Sequence, residues 1–400
     1  MEPADAHARL AGAQWLSLAR PFFDCLEGDL GHTKAVGGIV RDTLLGRDGP
    51  HGDIDLATEL APERVMALAE AGGMAAHPTG IAHGTVTLVH AGRSVEVTTL
   101  RRDVETFGRR ARVAFGSDWH GDASRRDFTM NALYCTSEGA LFDPLGGLSD
   151  CLAGRVRFIG DPDQRIAEDR LRVFRFFRFC ASHGAQKMDV EALAACSRSA
   201  GDLGALSAER VGWEMMRLLD VPQSSAVLDA MAEIGVLSSG QFAAGLLATY
   251  VRAEDTIEAV DATARLALAA ASGLSLEDFR DQWRLSNGQV QAASDLADAI
   301  ALARSEDWAQ LSYRYAAIKA SAVALAAALA DRPKTWRDAA LAAVTALNPQ
   351  AFPISGRDLL ENGFEPGPEI GVELHRLETL WMQSRFTLDR SALLGKLRAR

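Results

Sequence analysis

Asp53 and Asp55 are two carboxylates separated by one residue, twelve residues beyond Arg41 in the run Gly37-Gly38-Ile39-Val40-Arg41-Asp42. On a strand, residues i and i+2 project from the same face, so Asp53 and Asp55 would point together at one site. Such a pair suits Mg²⁺, which is typically held by one or two carboxylates together with substrate phosphates and water. Gly37 and Gly38 let backbone N–H groups approach phosphate oxygens closely, and Arg41 adds charge and a planar fork of donors. Together these residues are a minimal kit for phosphoryl or nucleotidyl transfer. Taken singly, each fragment is more often an ordinary turn or an exposed strand end.

The elements that must position them alternate short β-type runs with turns from Lys34 to about Leu148. The runs are Val86-Thr87-Leu88-Val89, Ser94-Val95-Glu96-Val97-Thr98 and Ala132-Leu133-Tyr134, with breaks at Gly84 and Gly92 and helices expected over 41–45 and 62–71. This reads as an α/β (α+β) head with a small mixed sheet. After Gly160 the β signals vanish and Ala/Leu-rich amphipathic stretches run to the C-terminus, so the remainder is expected to be all-α. The expected divisions are a head over 1–150, a helical neck over 151–219, a body over 220–330 and a tail over 331–400. Gly201–Gly204, Gly235–Gly240 and Asn348–Gly356 suit joints between helical groups.

Four hundred residues, 48% of them hydrophobic, exceed one compact core and fit two to four domains. Five cysteines without C-x-x-C spacing argue against both a disulfide framework and a zinc site, which points to a reducing cytoplasm. The alanine-rich run Ala320 to Ala330 is too short to span a bilayer, so no membrane role is expected. The net charge of −11 is unevenly spread: residues 220–310 hold fourteen Asp and Glu against five Arg, whereas 99–180 hold fourteen Arg against twelve acids. That asymmetry permits an RNA groove on the basic portion while the acidic segment faces solvent.

Further motifs follow the first two: His83-Gly84-Thr85-Val86, Val95-Glu96-Val97-Thr98-Thr99, the run Arg125-Arg126-Asp127-Phe128-Thr129-Met130-Asn131-Ala132, and Glu168-Asp169-Arg170-Leu171-Arg172. Their order and spacing over roughly residues 34–217 resemble the class II tRNA nucleotidyltransferases, the CCA-adding enzymes of the polymerase-β-like nucleotidyltransferase superfamily. The resemblance implies that Asp53 and Asp55 bind Mg²⁺ and carry the reaction. It also implies that Gly37, Gly38 and Arg41 hold the incoming triphosphate, with Asp42 orienting the arginine. Glu96 is a candidate third carboxylate. Arg126, Asp127 and Asn131 fall in the family's second nucleotide-contacting motif, while Arg109, Arg110 and Arg112 match its flexible loop. Leu206 to Glu214 resembles a supporting motif of the neck in which Ser207 is expected to cap a helix. Ile354 to Leu360 and Pro366 to Gly371 resemble tail segments that meet the tRNA body, or are Gly/Pro-rich connectors.

Glu168 to Arg172 suggests how a base could be chosen without a template. On a continuous helix, Asp169 and Arg172 share a face, and Glu168, Asp169, Arg172 and Arg175 fall within an arc of about 120°, with Arg178 opposite Asp169. A carboxylate acceptor beside a guanidinium donor matches the edges of cytosine and adenine, whereas uracil and guanine present the reverse pattern. Phe174, Phe176, Phe177 and Phe179 read as core rather than as stacking platforms.

The expected activity is addition or repair of the 3′-terminal CCA of tRNA from CTP and ATP, with release of pyrophosphate. The rivals are a bacterial poly(A) polymerase, a CC-adding or A-adding specialist of the same family, and a non-catalytic RNA-binding protein. Only Lys396, Arg398 and Arg400 cluster at the C-terminus, which favours a tRNA substrate over a poly(A) polymerase. Oligomeric state is left open.

Overall fold

The computed structural model describes residues 3–47, 49, 53–81, 84–107, 110–185, 187–237, 244–258, 260–347 and 351–397. His83 and Arg109 lie outside the described residues, as do 238–240 and 348–350 at two of the expected joints, and the side chains of Arg110 and Arg112 are not described. The chain separates into two compact units, Met1–Phe242 and Ala243–Arg400, a division that falls inside the 220–330 segment.

Among the described residues the first unit has nine strands: β1 (Thr33–Val36), β2 (Asp55–Thr58), β3 (Ala75–Gly80), β4 (Thr85–His90), β5 (Arg93–Thr99), β6 (Arg101–Phe107), β7 (Arg110–Phe115), β8 (Tyr134–Cys135) and β9 (Leu141–Phe142). Seven of them form one mixed sheet in the order β3-β4-β5-β2-β1-β8-β9, while β6 and β7 pair separately as a ribbon. Only β2 and β5 run parallel, because the connection between them carries the Pro62–Ala71 helix and the β3–β4 hairpin. Val95 and Val97 are buried and Glu96 between them is exposed, the alternation of a strand with one face on a core. The helices expected over 41–45 and 62–71 are present as Gly38–Leu45 and Pro62–Ala71.

Two local expectations change. Of Ala132-Leu133-Tyr134 only Tyr134 enters a strand, since Thr129–Asn131 closes into a 3₁₀ turn whose Asn131 side chain donates to Asp127 at 3.0 Å. The segment expected as a loop around Arg110 and Arg112 is instead strand β7, where Arg110↔Phe107 and Arg112↔Glu105 pair across the ribbon.

Beyond Gly160 every regular element is helical among the described residues. Phe176 and Phe177 are fully buried, and Phe174 and Phe179 are 5% and 4% exposed, so all four are core. Each such burial is worth about 1.5–3 kcal/mol. In the second unit the alanine-rich helices Ala262–Ala271, Asn287–Arg304 and Lys319–Leu329 pack together, their small side chains allowing close approach. Ile354, Leu359, Leu377, Trp381 and Leu393 form a separate tail core. The Ile354 to Leu360 run starts a helix there, with Ser355 and Asp358 forming a capping box and Asp358 paired with Arg390 at 2.5 Å.

Candidate active site

Gly37 ends β1 with φ +76° and ψ −123°, a conformation that only glycine adopts without strain, and becomes the N-cap of the Gly38–Leu45 helix. Gly37 has no side chain with which to cap this helix, and a helix N-terminus of this kind suits an anion. Arg41, one turn in, is buried at 7% exposure. It donates Nε and Nη2 to the two oxygens of Asp42 (2.8 and 2.9 Å) and Nη1 to Asn131 Oδ1 (2.6 Å). Asp42 also meets Nε2 of His183 at 3.0 Å. Burial pushes the Asp42 carboxyl up, but the hydrogen bonds from His183 and Arg41 prevail and hold it below the usual carboxylate range. Arg41 thus braces the glycine turn against Asn131, and Asp42 orients it.

Asp53 and Asp55 are both exposed and flank buried Ile54, so the two carboxylates do share a side. Asp53 stands just outside β2; the Glu96 N–H donates to the Ile54 carbonyl at 3.3 Å, which extends the ladder by one residue. In the parallel register Asp55 stands opposite Glu96. Asp55 keeps an exposed edge, yet the protein on its other sides crowds water from the carboxyl and raises it to about 6, with the charges of Glu96 and Asp53 adding to the rise and Arg126 opposing. Clustered carboxylates whose ionisation is opposed in this way fit a divalent cation, which would relieve the repulsion. Among the described residues no group of three or more His, Cys, Asp or Glu side chains is placed to hold a metal ion alone. The Asp53 and Asp55 pair therefore suits an ion that keeps water or phosphate oxygens among its ligands.

Buried Asp122 organises the arginine run. Its Oδ1 accepts Nε and Nη2 of Arg125 (2.8 and 2.5 Å), and its Oδ2 accepts Nη2 of Arg126 (3.1 Å) and the Tyr134 hydroxyl (2.8 Å). Nη1 of Arg126 lies 3.8 Å from where a Cβ on Gly37 would stand, which places that guanidinium beside the glycine turn. Asp127 turns the other way, toward Asn131 and Arg175.

The neck requires a correction. The stretch Glu168 to Arg178 is not one helix: Pro162–Glu168 ends, Asp169 is extended (φ −148°, ψ 103°), and a new helix runs over Leu171–Ser182. The Asp169 carboxylate accepts the Leu171 N–H at 3.1 Å, a local bond that competes with helix continuation. Projection across the break therefore fails. Asp169 is held by Arg210 (2.7 Å), while Arg172 donates to Glu168 (2.7 Å) and to the carbonyls of Arg165 (2.7 Å) and Arg125 (3.2 Å). Arg175 and Arg178 converge on Glu214, at 3.3 and 2.6 Å. Ser207 caps Ala208–Leu219 by accepting the Arg210 N–H.

Asp122, Arg165, Arg210 and Glu214 were not among the expected site residues. Arg210 and Glu214 lie in the supporting motif already noted, and their i, i+4 spacing could have marked them as one helical face. Asp122 stands three and four residues before Arg125 and Arg126, a spacing that could have marked it as their partner, whereas two of the bonds of Arg165 go to backbone carbonyls about forty residues away, which leave no mark in the sequence.

A sheet that presents a D-x-D pair beside a glycine-capped helix defines a nucleotidyltransferase head. Residues 33–157 match the Poly A polymerase head domain, and residues 260–396 match tRNA nucleotidyltransferase domain 2. The chain is 32% identical over 392 residues to the CCA-adding enzyme of Limosilactobacillus fermentum, covering 94% of this chain and 95% of that one. It is 35% identical over 283 residues to the CCA-adding enzyme of Geobacillus stearothermophilus, 68% of each chain. The crystal structure of the Bacillus stearothermophilus CCA-adding enzyme in complex with CTP superimposes with a TM-score of 0.72 at 27% identity, covering 92% of this chain and 93% of that one. The chain belongs to the class II CCA-adding enzymes of the tRNA nucleotidyltransferase/poly(A) polymerase family. Polymerase-β-like nucleotidyltransferases generally use divalent metals.

Proposed function

We propose that this chain builds or repairs the 3′-terminal CCA of tRNA by single-nucleotide transfers from CTP and ATP. The reading is carried by one arrangement: neck residues Arg172 and Arg175 are hydrogen-bonded to the head's own nucleotide-contacting run, at the Arg125 carbonyl and the Asp127 carboxylate. Base choice and phosphate chemistry therefore meet in one assembly. Asp53 and Asp55 would hold Mg²⁺, which when bound acidifies the attacking 3′-hydroxyl and neutralises the leaving pyrophosphate. The Gly37 turn presents its uncapped N–H groups to the triphosphate, and Arg126 supplies a guanidinium at its side. Glu96 raises the electrostatic demand for a cation at Asp55. Asp169, positioned by Arg210, offers the carboxylate acceptor for the base amino group, and Arg172 offers the donor. UTP and GTP would leave that pair facing the wrong groups, at about 1–3 kcal/mol for each unpaired partner.

All five cysteines are free, and among the described residues no helix is long and apolar enough to cross a membrane. The test is incubation of tRNAs ending before CCA, in C and in CC with labelled CTP or ATP and Mg²⁺. Incorporation that stops at CCA is expected. Runs of A on unrelated RNA, or addition of C alone or A alone, would overturn the reading.

A further inference from the structure

We propose that Arg165 is a positioning residue that couples base selection in the neck to the Arg125-Arg126 run of the head; the proposal rests on the reading above that Arg172 meets the base. Arg165 lies in the Pro162–Glu168 helix and is 9% exposed. Its Nη2 donates to two carbonyl oxygens of the head, those of Ser124 and Arg126, each at 2.7 Å. Its Nη1 donates to Glu168 Oε2 at 2.6 Å. The backbone carbonyl of Arg165 in turn accepts Nη1 of Arg172 at 2.7 Å, and Arg172 reaches the intervening carbonyl, Arg125, at 3.2 Å.

Three consecutive carbonyls, 124 to 126, are thus taken by two neck guanidinium groups. Ser124 ends the Trp119–Ser124 helix, Arg125 caps it and Arg126 follows, so the guanidinium groups meet the chain where it leaves the helix. The contacts form a relay. The Arg126 side chain stands beside Gly37, its carbonyl is held by the Arg165 side chain, and the Arg165 carbonyl holds the Arg172 side chain. A shift of Arg172 therefore works directly on the backbone that aims Arg126. The planar fork matters, because one guanidinium bridges two carbonyls and a carboxylate at once, which a single ammonium point cannot do. Nε of Arg165 is buried without a hydrogen-bond partner among the described residues.

The experiment uses the full chain with R165M and R165K, and with R172A in parallel. It measures kcat and KM for CTP, ATP, UTP and GTP on tRNAs ending before CCA and in CC, together with thermal melting. R165M is expected to lose about 10–100-fold in kcat/KM for CTP and ATP, the usual effect of removing a group that orients a working residue. UTP transfer should change far less, so that discrimination against UTP falls about tenfold, while KM for tRNA holds. R165K should fall between R165M and the unaltered chain. Equal losses for all four nucleotides, or full discrimination in both Arg165 variants while R172A has lost it, would overturn the proposal alone. Full discrimination in R172A would overturn the reading beneath it, and the proposal with it. If R165M does not fold, R165K decides: unaltered discrimination there overturns the proposal.

Discussion

Arg175 binds one oxygen of Asp127 twice: Nη2 and Nε donate to Oδ2 at 2.5 and 2.8 Å, while Oδ1 accepts the Phe128 N–H at 2.8 Å and Asn131 Nδ2 at 3.0 Å. A residue expected to touch nucleotide is therefore committed to the head's own carboxylate. The bonds continue on both sides, from Asn131 to Arg41 and Asp42, and from Arg175 to Glu214 and Arg178. Asp127 is buried but Arg175 keeps 31% of its side chain exposed, so removing the arginine strands a carboxylate that water partly reaches, at about 1–3 kcal/mol. Arg175→Ala should lower the urea midpoint of the first unit by that equivalent, and Asp127→Asn should lower it too, because its amide keeps the Oδ1 bonds but turns an N–H₂ toward the Arg175 donors. A midpoint within about 0.5 kcal/mol of the unaltered chain would show that the pair does not brace the neck.

The same carboxylates set the acid limb. Burial raises Asp127 and Asp122, but the charges of Arg175 on the first and of Arg126 and Arg125 on the second outweigh it, so both sit below the usual range, as Asp42 does. The unfolded chain then binds protons first, near pH 4, and stability rises with pH wherever it does so. The stabilisation is present above about pH 4 and is lost as pH falls through the lower folded values. Urea midpoints measured from pH 6 down to pH 2.5 should drop steeply at the acid end, and less steeply in Asp127→Asn. Parallel curves for the two proteins would refute the assignment.

Gly37→Ala separates backbone demand from space. A Cβ there would meet nothing closer than 3.8 Å, so the penalty is the φ of +76°, about 1–3 kcal/mol for a non-glycine residue in a sparsely populated region. The turn should relax away from the triphosphate, raising KM for both CTP and ATP while tRNA binding holds. An unchanged KM would mean that the turn does not contact the nucleotide.

Asp53→Ala tests the metal-binding assignment. Loss of several kcal/mol of transition-state charge stabilisation corresponds to about a thousandfold in rate, and it should fall equally on C and A addition. Filter binding of tRNA should change little. Preserved turnover, or loss of only one nucleotide, would remove Asp53 from the shared chemistry.

Most of the head was legible because its signals are local. The paired glycines need one backbone conformation, the D-x-D spacing needs one strand face, and Val95-Glu96-Val97 displays its burial pattern in its spelling. The four phenylalanines of the Leu171–Ser182 helix read as core for the same reason. The break at Asp169 was not legible: Glu168 to Arg172 has good helix propensity, and a short carboxylate bond to a neighbouring N–H decides the backbone instead. Nor was Arg165, whose meaning comes from the distant Ser124 and Arg126 carbonyls, whereas the pairing of Asp122 with Arg125 and Arg126 lay open in their i, i+3 and i, i+4 spacing. Arg41 shows the boundary between the two. Its place beside the glycines is a sequence feature, but its commitment to Asp42 and Asn131 emerges only when residues 90 positions apart meet.

Asp42 with Arg41, linked through the neutral Asn131 side chain to Asp127, Arg175, Glu214 and Arg178, makes a network of three acids and three arginines, so its formal charges cancel. However rigidly it supports the site, it projects little net field toward a tetra-anionic nucleotide. Asp122 with Arg125 and Arg126 sums instead to one positive charge, beside the uncapped helix end at Gly37. Long-range attraction of the triphosphate thus falls to that trio, to Arg165 and Arg172 with their shared Glu168, which also sum to one positive charge, and to backbone dipoles. Ionic strength should therefore slow nucleotide capture while leaving the internal lattice of the neck almost untouched.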